Sequence, residues 1–209
     1  MKGFFVTGTD TGVGKTVLSA LLTAALDAIY WKPVQTGSIE GTDRETVQRL
    51  AEIPDERIAP ECYVFAPPVS PHLAARLAGV RIELDRIRPP LAVAARSWIV
   101  EGAGGALVPL NERDMMTDLI RHLALPVVVA SHTALGTINH TLLTLAALRQ
   151  AGLDVRGVVL IGDENAENRR AIEHFGRAPV FGRIPRLENL SRATLLDVFR
   201  RHFDARAFE

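Results

Sequence analysis

Cysteine is nearly absent: Cys62 is the single one in 209 residues. An internal disulfide is therefore excluded, and the composition fits a reducing compartment. A lone thiol of this kind reads as a small buried or half-buried packing residue rather than a nucleophile. Charge of one sign is lacking too. Lysine plus arginine number 24, aspartate plus glutamate number 24, and the pI is near 7.0. Without a basic stripe, nucleic acid is not an expected partner. No run approaches the ~18 consecutive apolar residues of a membrane span. The apolar part of Met1-Lys2-Gly3-Phe4-Phe5-Val6 is too short for a secretion signal and reads as a strand. We therefore expect a cytoplasmic protein with no membrane partner. Internal repeats, low-complexity tracts and linkers are also missing, so the whole length, 1–209, is expected to be one domain.

What is present is an ordinary globular balance, 47% apolar and 23% charged residues, enough to bury a core. Short Val- and Ile-rich runs alternate with helical patterns. Strands are expected at Phe4 to Thr7, Tyr30 to Val34, Trp98 to Val100, Pro126 to Ser131, Val155 to Ile161 and Pro179 to Ile184. The run from Pro126 has the composition of a strand buried on both faces of a parallel sheet. Helices are expected from about Lys15 to Ala28, Thr137 to Gln150, Glu167 to Phe175 and Leu187 to Phe203. In the first of these, Val17, Leu18, Leu21, Leu22, Ala25 and Leu26 recur at spacings of three and four. Such alternation predicts an α/β fold, a mostly parallel sheet flanked by helices and joined by right-handed crossovers. Between the second and third strands, Pro54, Pro60, Pro67, Pro68, Pro71, Pro89 and Pro90 mark a helix-and-loop excursion over about 53–97.

The most informative segment is Gly8-Thr9-Asp10-Thr11-Gly12-Val13-Gly14-Lys15-Thr16. It follows one expected strand and opens one expected helix, the context of a phosphate-binding P-loop. Glycines let backbone N–H groups turn toward phosphates, and the helix N-terminus adds partial positive charge. Gly12, Val13, Gly14, Lys15, Thr16 and Val17 are thus the expected nucleotide contacts. Lys15 is suited to the β- and γ-phosphates and the Thr16 hydroxyl to Mg²⁺. The usual spacing from Gly14 would place the first glycine at position 9; Thr9 stands there and Gly8 precedes it, so the loop carries one extra residue.

Two more segments close strands: Lys32-Pro33-Val34-Gln35-Thr36-Gly37 and Val100-Glu101-Gly102-Ala103-Gly104-Gly105. With the P-loop, Ser70-Pro71-His72 and Leu135-Gly136-Thr137-Ile138-Asn139-His140, in that order along the chain, they closely resemble the dethiobiotin synthases from residue 4 to about 160. The resemblance implies an ATP- and Mg²⁺-dependent ligase that joins CO₂ (or bicarbonate) to 7,8-diaminononanoate. By position, Lys32 and Lys15 become the catalytic lysines, and Thr16, Asp43 and Glu101 the Mg²⁺ set. Gly102, Ala103 and Gly104 fall near the nucleotide, with glycine N–H groups left free near the substrate. Thr11 and Thr36 fall near the substrate. Pro185, Arg186 and Leu187 match the segment lining the base pocket. Gly136, Thr137, Ile138 and Asn139 open a helix that receives the substrate carboxylate from a neighbouring subunit, which implies a homodimer. Asp43 has a second reading, a cap for a helix whose pattern begins at Arg44.

Other polar residues read as structural. The histidines at 72, 122, 132, 140, 174 and 202 lack a metal-site spacing. The pairs Arg169-Arg170 and Arg200-Arg201 read as solvated helix faces, and Trp31 and Trp98 as core. A rival reading is a P-loop switch ATPase of the partitioning or septum-site type. Those proteins carry a second lysine inside the phosphate loop, and residues 9–13 contain none. One departure from the family concerns the base: many members have Asn-Asp where this chain has Leu160-Ile161-Gly162-Asp163. A weak base preference is expected from the missing amide.

Overall fold

A computed structural model describes residues 1–89 and 96–208. Its centre is a six-stranded, all-parallel sheet built from β1 (Gly3–Gly8), β2 (Ile29–Trp31), β5 (Trp98–Gly105), β6 (Val127–His132), β7 (Val155–Ile161) and β8 (Val180–Ile184). The order is β2-β5-β1-β6-β7-β8. Two short strands, β3 (Val34–Thr36) and β4 (Tyr63–Phe65), pair in parallel as a separate small sheet.

Both faces of the main sheet are covered, as parallel strands require. Alternation along β1 divides the core. Phe5 points to one side with Val127 and Val129, beneath α4 (Met116–Leu123), α5 (Thr137–Gln150) and α6 (Ala166–Gly176). Phe4 and Val6 point to the other, with Val128 and Ala130, beneath α1 (Lys15–Ala25), α2 (Asp43–Ala51) and α7 (Arg192–His202). This is the two-residue period of a strand, read out as two cores. Trp31 and Trp98 are buried edge to face in the first core, centroids 6.1 Å apart, as expected of core residues. Arg170 and Arg201 lie on exposed helix faces, paired with Glu167 and Asp197.

Several boundaries differ from the sequence reading, each for a local reason. The expected strand Tyr30 to Val34 is broken at Lys32-Pro33. Proline has no N–H for the ladder, so β2 stops at Trp31 and the chain restarts as β3. The Pro33 carbonyl instead accepts from the Cys62 and Tyr63 N–H groups. Helix α1 ends at Ala25 rather than Ala28, because Asp27 adopts φ 50° and the Ala28 N–H closes back on the Thr23 carbonyl at 3.1 Å, a left-handed helix stop. The last helix starts at Arg192 rather than Leu187, where Ser191 caps it by accepting from the Thr194 N–H. Helix α4 was not foreseen. In the proline-rich excursion α3 (Pro71–Leu77) forms, with proline at its first position; Pro90 lies outside the described residues. Cys62 is exposed, contrary to the buried or half-buried expectation, because it leads into β4 on the small outer sheet.

Candidate active site

The P-loop joins β1 to α1 at the carboxyl edge of the central sheet. Gly14 stands at the N-cap of α1 with φ 96°, a left-handed conformation that favours glycine. Across from it lies Ile161 at the end of β7, close enough that a Cβ on Gly14 would meet the Ile161 side chain at 2.9 Å. Lys15 follows, buried, and its Nζ donates to the Asp10 carbonyl at 2.9 Å within the loop itself.

Opposite the loop, the break after β2 places Lys32. Its Nζ donates to Asp43 Oδ2 at 2.5 Å and to Glu101 Oε1 at 3.1 Å. The Thr16 hydroxyl lies 2.7 Å from Asp43 Oδ1 and 3.1 Å from Glu101 Oε1. Tyr30 donates its hydroxyl to Glu101 Oε2 at 3.0 Å. Gln35 accepts from the Asp43 N–H at 3.1 Å and donates to the Thr36 carbonyl at 2.7 Å. Lys2, Lys15 and Lys32 are the only lysines in the chain, and two of the three are here. The other formally charged basic side chains are arginines, planar forks where lysine is a compact point charge.

The alternative role for Asp43 is settled by α2. Thr42 is the cap, its hydroxyl accepting from the Glu45 N–H while Glu45 accepts from the Thr42 N–H. Asp43 is thus free to turn its carboxylate toward Thr16 and Lys32. Glu101 is placed differently from the sequence reading: it lies inside β5, which runs on through Gly105, rather than just beyond a strand ending at Val100. The pairing passes from Val6–Glu101 to Gly8–Gly105, so four residues of β5 advance over two of β1. That irregularity brings Ala103 and Gly104 to the cleft. Gly102 is turned away and packs against Phe5 and Met116. The glycines after Glu101 thus lie within β5, beyond Val100, where its pairing with β2 ends.

Burial sets the electrostatics. The Lys15 ammonium is held below its ordinary pKa by desolvation, with Lys32 adding to the effect and Glu101 and Asp43 opposing it. Desolvation also works against charge on Lys32, yet the Glu101 and Asp43 carboxylates outweigh it and raise its pKa. For Asp43, desolvation would push upward, but Lys32 and the Thr16 and Gln35 hydrogen bonds prevail and lower it. The Tyr30 phenol is raised well above its ordinary value by full burial and by Glu101 beside it. The three converging oxygens of Thr16, Asp43 and Glu101 fit a small hard cation. The Thr16 hydroxyl has one proton for two carboxylate neighbours, so it cannot donate to both at once.

These groups share a cleft of about 720 Å³. Thr11, Gly12, Gly14, Lys15, Thr16, Val17, Lys32, Thr36, Asp43, Glu101, Ala103 and Gly104 line it, with Gln35, Ser70 and Val108. No cysteine or histidine is among its lining residues. Val13 is buried beneath the loop. Pro185, Arg186 and Leu187 lie outside the cleft, beyond β8, and so do Gly136, Thr137, Ile138 and Asn139. Thr137 is unsuited to contact a substrate with its side chain: it is fully buried, hydrogen-bonded to Ser131 Oγ at 2.8 Å and to the His132 carbonyl. Gly136 and Asn139 are exposed at the start of α5. Tyr30 and Gln35 escaped the sequence reading. Their roles depend on which strand lies beside which, and neither residue type signals that alone.

A parallel sheet with a P-loop at the end of its central strand, and an acidic side chain on the neighbouring strand facing the P-loop threonine, defines a nucleotide-binding α/β protein. A family profile described as an AAA domain matches residues 2–194. Two solved structures share this fold. A ParA family ATPase from Chlorobium tepidum is 15% identical, with a TM-score of 0.58, covering 95% of this chain and 90% of that one. A nucleotide-binding protein in complex with ADP from Archaeoglobus fulgidus is 14% identical with a TM-score of 0.51, covering 95% and 86%. At such identities the likeness is one of fold.

Curated relatives are narrower. The ATP-dependent dethiobiotin synthetase BioD of Agrobacterium fabrum is 49% identical over 98% of this chain and 96% of its own. That of Paramagnetospirillum magneticum is 52% identical over 93% of both. The biotin biosynthesis bifunctional protein BioCD of Bordetella avium is 52% identical over 90% of this chain and 40% of its own length. The chain belongs to the ATP-dependent dethiobiotin synthetase family, and so to the ATP-dependent ligases.

Proposed function

We propose that the protein closes the ureido ring of dethiobiotin from 7,8-diaminononanoate, CO₂ and ATP. The observation that carries this reading is the pairing of two buried lysines, Lys15 and Lys32, across one cleft that holds three converging oxygen ligands and no cysteine or histidine. Such a site neutralises phosphate and carboxylate charge without offering a thiol or imidazole nucleophile, so positioning and electrostatics supply the catalysis.

In the proposed sequence, one substrate amine adds to CO₂ and loses a proton, giving a carbamate. A carbamate oxygen attacks the γ-phosphorus, and the bond from that phosphorus to the β-bridging oxygen breaks, releasing ADP. The second amine attacks the carbonyl carbon of the resulting mixed anhydride and loses a proton; the carbon–oxygen bond to phosphate breaks, inorganic phosphate leaves and the five-membered urea closes. Lys15 serves the β- and γ-phosphates from the P-loop, and Lys32 faces the carbamate and γ-phosphate from the other side. Thr16, Asp43 and Glu101 would hold Mg²⁺, which supplies charge neutralisation at the phosphate oxygens. Thr11 and Thr36 place hydroxyls on the substrate side.

The substrate carboxylate is assigned to the N-terminus of α5 in a second copy of the chain. Gly136, Ile138 and Asn139 supply the first-turn N–H groups, which lack intrahelical partners. Supporting this, that terminus lies outside the chain's own cleft, while Leu135 and Leu143 beside it are apolar and exposed, at 101% and 61%. Among the described residues no helix is long and apolar enough to cross a membrane. The test compares ADP release with and without diamine and bicarbonate. Release that depends on both supports the ligase. Release indifferent to both, but stimulated by a protein partner, supports the switch-ATPase reading instead.

A further inference from the structure

We infer that Lys32 and the divalent ion compete for the same two carboxylates, so that Lys32 is a built-in occupant of the metal site, released toward the reacting groups only when the metal arrives. This rests on the assignment of Thr16, Asp43 and Glu101 as the metal set. Asp43 offers one oxygen to Thr16 and the other to Lys32, at 2.7 and 2.5 Å. Glu101 shares a single oxygen, Oε1, between the same two partners at 3.1 Å each, while its other oxygen is taken by Tyr30. The lone pairs that a metal would need on the Lys32 side are therefore already in use.

Burial makes the exclusion strong. The Glu101 side chain is 0% exposed, that of Lys32 6% and that of Asp43 29%, so water screens an ammonium only weakly from an ion placed beside it. Two carboxylates against one ammonium leave a formal charge of −1, partly met by Lys15 nearby. Exchanging the ammonium for a divalent ion neutralises the pair, whereas holding both cations crowds three positive charges against two negative ones. A free metal is thus disfavoured until phosphate oxygens come with it. Lys32 lines the cleft, so its displacement needs only a side-chain rotation.

Two experiments test this, neither depending on turnover. In the nucleotide-free protein, Lys32→Met should bind Mn²⁺ at least about tenfold more tightly than the wild type, because the buried carboxylates are left without their cation; the free ion is measured by its paramagnetic resonance. Affinities within twofold of each other would overturn the competition. The wild type provides a second test even if that variant folds poorly. With ¹³C-labelled lysine the chain gives one ε-methylene signal each for Lys2, Lys15 and Lys32, assigned through Lys2→Arg and Lys15→Arg. The Lys32 signal should stay in place with a β,γ-imido ATP analogue alone and move when Mg²⁺ is added. A full shift with the analogue alone, or none with Mg²⁺, refutes the inference. Failure of the metal assignment itself has a different signature: Asp43→Asn would then bind the Mn²⁺–analogue complex as tightly as the wild type.

Discussion

Tyr30→Phe removes one oxygen and leaves the shape of the core unchanged. The Tyr30 ring is fully buried and its hydroxyl donates to Glu101 Oε2 at 3.0 Å. Glu101 is itself 1% exposed, so water cannot replace the lost donor. A hydrogen bond to a charged group contributes about 1.5–3 kcal/mol. For a chain of this size each kcal/mol moves the melting temperature by roughly 2–4 °C. The melting temperature should therefore fall by about 3–12 °C in calorimetry without Mg²⁺ or nucleotide. A catalytic signature should accompany it. Glu101 would lose the bond that orients it, so half-saturation by Mg²⁺ should rise several-fold while nucleotide binding without metal stays unchanged. Tyr30 thus acts as a positioning residue, through Glu101. A melting temperature within about 1 °C of wild type, less than the weakest such bond would give, refutes the argument.

Other expectations follow from the same geometry. Lys32→Gln should cut turnover by about 10²-fold or more in single-turnover assays while nucleotide affinity stays within a few-fold, whereas Lys15→Ala should damage affinity and rate together; near-normal turnover in Lys32→Gln would remove it from the catalytic set. Sedimentation should find a dimer, and Leu143→Glu should weaken it along with diamine binding; a fully active monomer would exclude the shared site. GTP or CTP should support ring closure within about tenfold of ATP, since Ile161 and Gly162 bring no side-chain amide to the end of β7; a thousandfold preference for ATP would mean another polar group reads the base. Cys62, whose thiol is pushed above its ordinary pKa by desolvation despite an exposed residue surface, should react with iodoacetamide at pH 8 more slowly than free cysteine and gain rate as pH rises, because only the thiolate attacks. Equal rates at pH 8 would contradict that placement.

The parts of the fold legible in the sequence are those set by local chemistry. The run Val155 to Ile161 forms the strand expected of it, and Gly14-Lys15-Thr16 opens its helix where the motif places it. Where the structure departs from the local pattern, neighbours distant in sequence decide. Trp98 to Val100 looked complete as a strand because glycines follow, yet pairing with β1 and Gly8 carries β5 to Gly105. Helix α4 escaped notice because its apolar residues, Met116, Leu119, Ile120 and Leu123, are few and closely bounded. In the site, Lys15, Thr16, Lys32, Asp43 and Glu101 could be named from spacing and resemblance. What could not be read is that one glutamate oxygen serves two of the others, and that Tyr30 holds the second oxygen. Those facts depend on the register of β2, β5 and β1, which no local pattern encodes.

The relation to the ParA family ATPase sharpens what makes this site a ligase site. The two chains share a fold at 15% identity, and a fold by itself leaves the chemistry open. A P-loop lysine is suited to phosphate in any nucleotide site of this kind, so Lys15 cannot separate the two readings. Lys32 can, because of how the backbone delivers it. A proline after the lysine ends β2 at the sheet edge and starts β3 in a different sheet. The ammonium therefore leaves the sheet where the strand breaks, opposite the P-loop rather than within it. A lysine inside the loop would approach the phosphates from the same side as the loop's own N–H groups. One from the broken strand lines the same cleft as Lys15 from outside the loop, where the proposed function requires a second reactant. On the proposed function, the break at Pro33 is the structural step that fits a nucleotide site for a second reactant. Shifting it should separate nucleotide binding, which would persist, from transfer, which would not.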